Sequence, residues 1–146
     1  MKLLFSVHHQ VQTTLHRLSG WVLLGIRISL GLVFVQSGWA KFQNLDRVIQ
    51  FFQDLQIPFA ELQAPFVAGV EIFAGFLVLG GIFTPLAALP LIVIMVVAIL
   101  TAKMEEVQSL TDLLSFSEFG FVLLLLILAT FGPGPFSFDS RKKKRA

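Results

Sequence analysis

Long apolar runs dominate this chain, and each approaches the length that a helix needs to cross a lipid bilayer. A transmembrane helix takes about 20 apolar residues. Backbone polar groups in hydrocarbon must be satisfied inside the segment, so a helix is the structure available to such a run. The predicted spans lie at about residues 20–41, 64–83, 85–102 and 115–131. We therefore predict an all-α fold, a four-transmembrane-helix bundle with short interfacial helices.

Composition supports a membrane location. Hydrophobic residues make up 55% of the 146 residues and charged residues only 14%, whereas a soluble domain carries about 25% charged residues. The lipid bilayer is therefore the predicted main partner. We expect one membrane domain at residues 20–139, preceded by an amphipathic arm at residues 1–19 and followed by a basic tail at residues 140–146.

The absence of cysteine limits redox chemistry on the chain itself. Without a thiolate there is no thiol–disulfide relay and no cysteine-held iron–sulfur cluster. We predict no covalently bound cofactor. Any redox role then requires a diffusible molecule or a redox partner protein.

The distribution of basic residues predicts the orientation. Lys2 and Arg17 precede the first span, and a basic run at residues 141–145 follows the fourth. The connections after spans one and three are mainly acidic. The positive-inside rule then places both termini of this multi-pass membrane protein in the cytoplasm. The basic tail is interpreted as a lipid-binding topology signal and not as a nucleic-acid site.

Turn and cap residues mark the ends of the predicted helices. Residues 43–63 hold an amphipathic pattern that predicts an interfacial helix, with Asn44 as its cap and Pro58 as its stop. Thr84 followed by Pro85 predicts the start of the third span. The Gly-Pro-Gly-Pro sequence at residues 132–135 ends the fourth.

Two ionisable residues, Arg27 and Glu71, lie inside apolar spans. Charges at such depth are expensive, usually face the interior of a bundle, and are functional candidates by default. Each belongs to a stripe of small or polar residues at helical spacing, which favours close helix contact. We expect the two stripes to face each other; they are Arg27, Gly31, Gly38 and Lys41 on the first span, and Ala64, Ala68, Glu71 and Gly75 on the second.

Depth along the helices suggests which polar residues meet. At about 1.5 Å per residue, Glu71 lies roughly 10 Å below the outer edge, at a level similar to that of Gln36 and Ser37. Our hypothesis is a ligand-binding cluster near the outer face, with no catalytic residue assigned; its members are Glu71, Lys41, Gln36, Trp39 and Glu118. The alternative for Glu71 is a packing strut between helices. Arg27 either stretches about 10 Å toward Glu71 or extends to cytoplasmic phosphates.

The histidines do not favour a metal centre. His8, His9 and His16 all precede the first span, and no histidine follows. A haem held between transmembrane histidines is excluded. We predict no metal site.

Three motifs in order resemble the DoxX family of small membrane proteins. They are Ser-Gly-Trp-Ala-Lys-Phe at residues 37–42, the glycine-rich stretch at residues 69–89, and Phe-Gly-Pro-Gly-Pro-Phe-Ser-Phe-Asp at residues 131–139. The resemblance implies a four-helix bundle in the bacterial cytoplasmic (inner) membrane, in which Trp39, Lys41 and Glu71 match recurrent positions. Some members are tied to quinone-linked sulfur oxidation, to resistance against quinones and catechols, or to oxidative-stress complexes. Many relatives have arginine where this chain has Pro85.

Three functions follow as hypotheses. The first is a subunit of a redox-linked system that binds a quinone or similar aromatic molecule near the outer face. The second is a non-catalytic scaffold that holds a partner enzyme through the acidic outer loops, with residues such as Glu105 and Glu106, or through the cytoplasmic tails. The third is a small proton-coupled permeability factor, which would need a homo-oligomer to enclose a path. The sequence does not decide whether the protein is an enzyme.

Overall fold

The computed structural model describes the backbone of residues 1–104 and 107–143, and within them the side chains of residues 1, 18–104 and 107–140. These residues contain helices and no strand, so the predicted all-α fold is confirmed. The helices are α1 (Lys2–Gln43), α2 (Leu45–Asp54), α3 (Ala60–Gly80), α4 (Thr84–Ala98), α5 (Leu110–Ser115), α6 (Ser117–Phe131) and α7 (Phe138–Lys143). A π-helical turn, Ile99–Lys103, extends α4.

Three helices are long and apolar enough to cross a bilayer. They cover Leu18–Gln43, Ala60–Gly80 and Thr84–Lys103, with mean hydropathies of 2.0, 1.8 and 2.6. The fourth apolar helix, α6, has 15 residues and is about 22 Å long, shorter than a hydrocarbon core of about 30 Å. It begins at Ser117 and not at the predicted residue 115, because Phe116 has extended backbone angles.

The four apolar helices form one bundle. Helix α1 packs on α3, α3 on α4, α4 on α6, and α6 returns to α1. Buried side chains from all four helices make the core: Leu30, Phe34, Val78, Leu91, Leu125 and Leu128. Large apolar side chains such as Phe73 and Leu86 are exposed on the outside. In a membrane protein this outer surface contacts lipid.

Glycines let α1 and α3 approach closely. A Cβ at Gly31 would lie 2.7 Å from Leu79 Cβ, and a Cβ at Gly38 would lie 2.6 Å from the Ala68 carbonyl oxygen. From the other side, a Cβ at Gly75 would lie 3.0 Å from the Val35 side chain. The predicted contact between the two stripes is confirmed.

We predict that Gly38→Ala destabilises the bundle, whereas Gly25→Ala does not. A methyl group at residue 38 forces α1 away from α3, and such overpacking costs about 1–3 kcal/mol. Gly25 lies in the same helix with open space around the added Cβ, so alanine there keeps or raises stability. Denaturant unfolding of the two purified variants measures the difference. Equal midpoints would contradict the close-packing interpretation.

Two helix boundaries differ from prediction. Helix α3 runs over Ala60–Gly80 instead of residues 64–83, and it ends where Gly81 adopts a left-handed conformation. Thr84 is not the cap of α4: Phe83 holds the cap position, and the Thr84 amide donates to Asp139 Oδ2 at 3.4 Å. The capping group therefore comes from a segment 55 residues later in the chain.

The two terminal segments of the chain leave the bundle at the same end, where the centres of the Trp21 and Phe136 rings are 4.6 Å apart. Helix α1 is continuous over 42 residues, about 63 Å, which exceeds the hydrocarbon core. The amphipathic character predicted for residues 1–19 depends on side chains that lie largely outside the described ones, and it stays a prediction. Helix α7 was not predicted, because the motifs at residues 132–139 gave no helical signal beyond the stop.

Candidate ligand site

A cavity of about 490 Å³ lies between α1, α2, α3, α4 with its π-helical turn, and α6. Its volume falls in the range of about 300–1,000 Å³ that is usual for small-molecule sites. Most of the lining is apolar, and five phenylalanines contribute to it: Phe34, Phe51, Phe52, Phe66 and Phe121. The cavity is therefore suited to a flat, largely apolar molecule.

A buried ion pair forms the polar part of the cavity wall. Lys41 Nζ lies 2.6 Å from Glu71 Oε2, and the Glu71 side chain is fully buried while that of Lys41 is 28% exposed. Ser37 Oγ donates to the same carboxylate oxygen at 3.0 Å and accepts from Lys41 Nζ at 2.7 Å. The three side chains thus make a closed triangle of hydrogen bonds. All three line the cavity.

The local sequence explains how this triangle forms. Ser37 and Lys41 are four residues apart on α1, so they lie on one face of the helix, one turn apart. Gly38 lies on the side of α1 that meets α3, where an added Cβ would be 3.0 Å from Glu71 Cβ. The missing side chain at residue 38 therefore lets the carboxylate lie close to the helix that carries its partners.

One oxygen of the Glu71 carboxylate has no partner among the described residues. Oε1 is buried and accepts no hydrogen bond from them, whereas Oε2 accepts two. Buried polar atoms are nearly always paired, so a buried atom without a partner marks a place of functional interest. The contact between α1 and α3 therefore leaves one acceptor of Glu71 unused.

Two further charged residues reach the same cavity. Lys103, in the π-helical turn, and Glu118, in the first turn of α6, both line it. Lys103 Nζ lies 5.6 Å from the centre of the Phe116 ring, and Glu118 Oε2 accepts from Ser117 Oγ at 3.1 Å. Glu118, a member of the predicted cluster, therefore lines the same cavity as Glu71 and Lys41. π-Helical turns often occur at functional sites, and this one contributes to the wall.

The structure does not bring Gln36 and Trp39 into the cavity. Both are exposed on α1, Trp39 to 58%, and neither lines the cavity. Matching by depth alone placed Gln36 level with Glu71, but one helical residue turns the side chain by about 100°. Ser37 is the neighbour that points inward. Its four-residue spacing from Lys41 was the signal that could have identified it.

Arg27 neither pairs with Glu71 nor extends toward lipid phosphates. It is 2% exposed and donates four hydrogen bonds to backbone carbonyls. Nε donates to Val78 at 3.1 Å and Nη2 to Leu79 at 3.0 Å, both in the last turn of α3. Nη1 donates to Pro133 at 3.0 Å and Phe136 at 3.2 Å, in the segment after α6. Both sequence alternatives for Arg27 are therefore wrong.

Arg27 acts as a structural clamp. The last carbonyls of a helix lack intrahelical partners and attract positive charge, so the guanidinium caps α3. Gly81 makes room for it: a Cβ there would lie 2.6 Å from Arg27 Cζ, and its φ is +68°. The sequence could not show this role, because the acceptors are backbone atoms without a side-chain signature.

Helix α2 has a larger role than an interfacial anchor. Phe51, Phe52 and Leu55 line the cavity, so this amphipathic helix forms one of its walls. Asn44 occupies the predicted cap position, but its side chain donates back to the Ala40 carbonyl at 3.0 Å instead of capping α2. Glu105 and Glu106, the acidic residues named in the scaffold hypothesis, lie outside the described residues.

The sequence model of the DoxX family matches residues 22–104, more than half of the chain. The chain belongs to the DoxX family. The match covers α1 from Val22 through the π-helical turn after α4, and so includes Ser37, Lys41 and Glu71. The family assignment made from the three motifs is confirmed.

Two relatives extend this DoxX assignment. An uncharacterized membrane protein of Mycobacterium tuberculosis is 36% identical over 132 residues, which is 83% of this chain and 81% of the relative. CatD of Bacillus subtilis, whose name describes it as a candidate oxidoreductase, is 29% identical over 124 residues, 80% of this chain and 87% of the relative. No solved structure matches this DoxX protein significantly.

Proposed function

We propose that this DoxX protein is an integral membrane subunit of a redox-linked system, and that it binds a quinone or similar aromatic molecule in the cavity at Glu71. The observation that carries the proposal is the buried Lys41–Glu71 pair on the wall of a cavity otherwise lined mainly by phenylalanine and aliphatic side chains. The name of the Bacillus subtilis relative adds support for a redox role.

The residues suit such a ligand in distinct ways. The phenylalanines offer faces and edges against which an aromatic ring packs favourably. Lys41 has three N–H donors, and two of them serve Ser37 and Glu71. The third can serve a ligand oxygen and stabilise negative charge on it. The chain thus supplies binding and electrostatics, while the electrons come from the ligand and a partner.

The cavity can be tested by filling it. Ala98 lines it, so Ala98→Phe should lower the affinity for menadione and for its quinol form by about tenfold or more, because the added ring occupies the ligand volume. Ala40→Phe is the matched control, since Ala40 is exposed on α1 and does not line the cavity. Equilibrium binding to the detergent-purified proteins is the measurement.

The binding results distinguish the ligand-binding function from the scaffold function. Binding by wild type and Ala40→Phe that weakens in Ala98→Phe supports the proposed site. If wild type binds neither form, the proposal fails and the scaffold function becomes the one to pursue.

We further propose that both termini lie in the cytoplasm and that the cavity is near the outer face. Support comes from Lys2 and Arg17, which precede the first apolar stretch, and from the basic residues after α6. Because the chain has no cysteine, single cysteines report on orientation directly. With a membrane-impermeant maleimide, Gln108→Cys should be labelled in intact cells, and Ala146→Cys only after permeabilisation. The reverse pattern would overturn this orientation.

A further inference from the structure

Glu71 Oε1 is a buried acceptor that receives no hydrogen bond from the described residues. The same carboxylate lines the cavity, and its other oxygen is held by Lys41 and Ser37. An unsatisfied buried acceptor costs about 1–3 kcal/mol, and more when it is charged. Glu71, which lines the cavity, therefore has an acceptor that no donor of the described residues serves. A ligand that brings a donor would bind better than one that does not.

The two redox forms of a quinone differ in this respect. A quinone oxygen is a carbonyl, which only accepts hydrogen bonds. A quinol oxygen is a hydroxyl, which donates one hydrogen bond and accepts others. Both forms can accept from the remaining N–H of Lys41. Only the hydroxyl can also donate to a carboxylate oxygen such as Glu71 Oε1.

On this basis, which rests on the proposed function, we infer that the cavity is selective for the reduced, hydroxyl-bearing form of its aromatic ligand, with Glu71 Oε1 as the acceptor. The ligand class is therefore an aromatic diol, and the oxidised quinone is the weaker ligand. The selectivity is a binding preference and requires no reaction on the chain.

The test compares three probes that share one ring system: menadione, its quinol kept reduced under anaerobic conditions, and the dimethyl ether of that quinol. A hydrogen bond to a charged group is worth about 1.5–3 kcal/mol, so wild type should bind the quinol about tenfold or more tightly than either other probe. The dimethyl ether separates hydrogen-bond donation from ring shape.

Glu71→Gln provides the decisive variant. Lys41 can only donate, so the amide oxygen should stay with Lys41 and Ser37, leaving the amide NH₂ in the place of Oε1. The site then presents a donor, and the preference should disappear or turn toward menadione. Glu61→Gln is the matched control, because Glu61 is exposed in the first turn of the same helix, and it should keep the wild-type preference.

The outcomes distinguish this inference from the proposed function. Equal binding of all three probes by wild type would overturn the selectivity while leaving the site in place. A tenfold preference for the quinol that persists in Glu71→Gln would also overturn the selectivity, because Glu71 Oε1 would then not be its cause. Binding of no probe by wild type would overturn the proposed function itself.

Discussion

Lys41→Met should destabilise the protein strongly, by about 3 kcal/mol. Removing one partner of a buried ion pair leaves an uncompensated charge, which typically costs about 3–5 kcal/mol. The lower end applies here because the Lys41 side chain is 28% exposed and the Glu71 charge is partly screened through it. The midpoint of denaturant unfolding in detergent measures the loss. Arg47→Met, at an exposed basic residue of α2, is the control and should change little.

The double variant Lys41→Met/Glu71→Gln tests the cause of that loss. Without a charge on residue 71, the missing ammonium matters less, so the double variant should recover about 2 kcal/mol relative to Lys41→Met. If the losses in free energy of unfolding caused by Lys41→Met and by Glu71→Gln simply add in the double variant, Lys41 stabilises the bundle through packing and not through its ion pair with Glu71.

Arg27→Lys should have a comparable effect at the other end of the bundle. Lysine keeps the charge, but its single ammonium group cannot reproduce the planar guanidinium, whose N–H donors reach carbonyls of two separate segments at once. We expect a loss of about 2–4 kcal/mol, since hydrogen bonds from a charged donor are each worth about 1.5–3 kcal/mol. The segment after α6 should also become more sensitive to protease, because Arg27 binds it through Pro133 and Phe136.

The control for this prediction is Arg47→Lys, the same substitution at an exposed position. It should leave both the unfolding midpoint and the protease pattern unchanged. If Arg27→Lys behaves in the same way, the four hydrogen bonds do not stabilise the fold and Arg27 is not a clamp.

Hydropathy was sufficient to predict the helices of the bundle, because a membrane span is set mainly by the length of an apolar run. The stripes of small residues also predicted which faces of α1 and α3 meet. Boundaries were less accurate. The amide of Thr84, at the start of α4, donates to the carboxylate of Asp139, which is 55 residues further along the sequence. Capping rules consider only neighbouring residues, so they could not predict this partner.

The candidate site was predicted in part. Glu71 and Lys41 were identified as charges near a common depth, and the structure joins them. Depth could not separate Gln36 from Ser37, because neighbours on a helix differ little in height but greatly in direction. The role of α2 as a cavity wall could not be predicted either, since amphipathic periodicity shows that one face is buried and not what it covers.

The hydrogen bonds of Arg27 also have a consequence for the order of biogenesis. Ribosomes make the arginine early, and domains form from the amino end as synthesis proceeds. Two of its four acceptors, Val78 and Leu79, follow with the second span, but Pro133 and Phe136 are made only after the fourth apolar helix. Until then half of the guanidinium's final acceptors are missing. The segment after α6 therefore completes the environment of Arg27 in the first span. A chain cut before this segment would keep an incompletely satisfied intramembrane cation, which quality-control proteases can recognise.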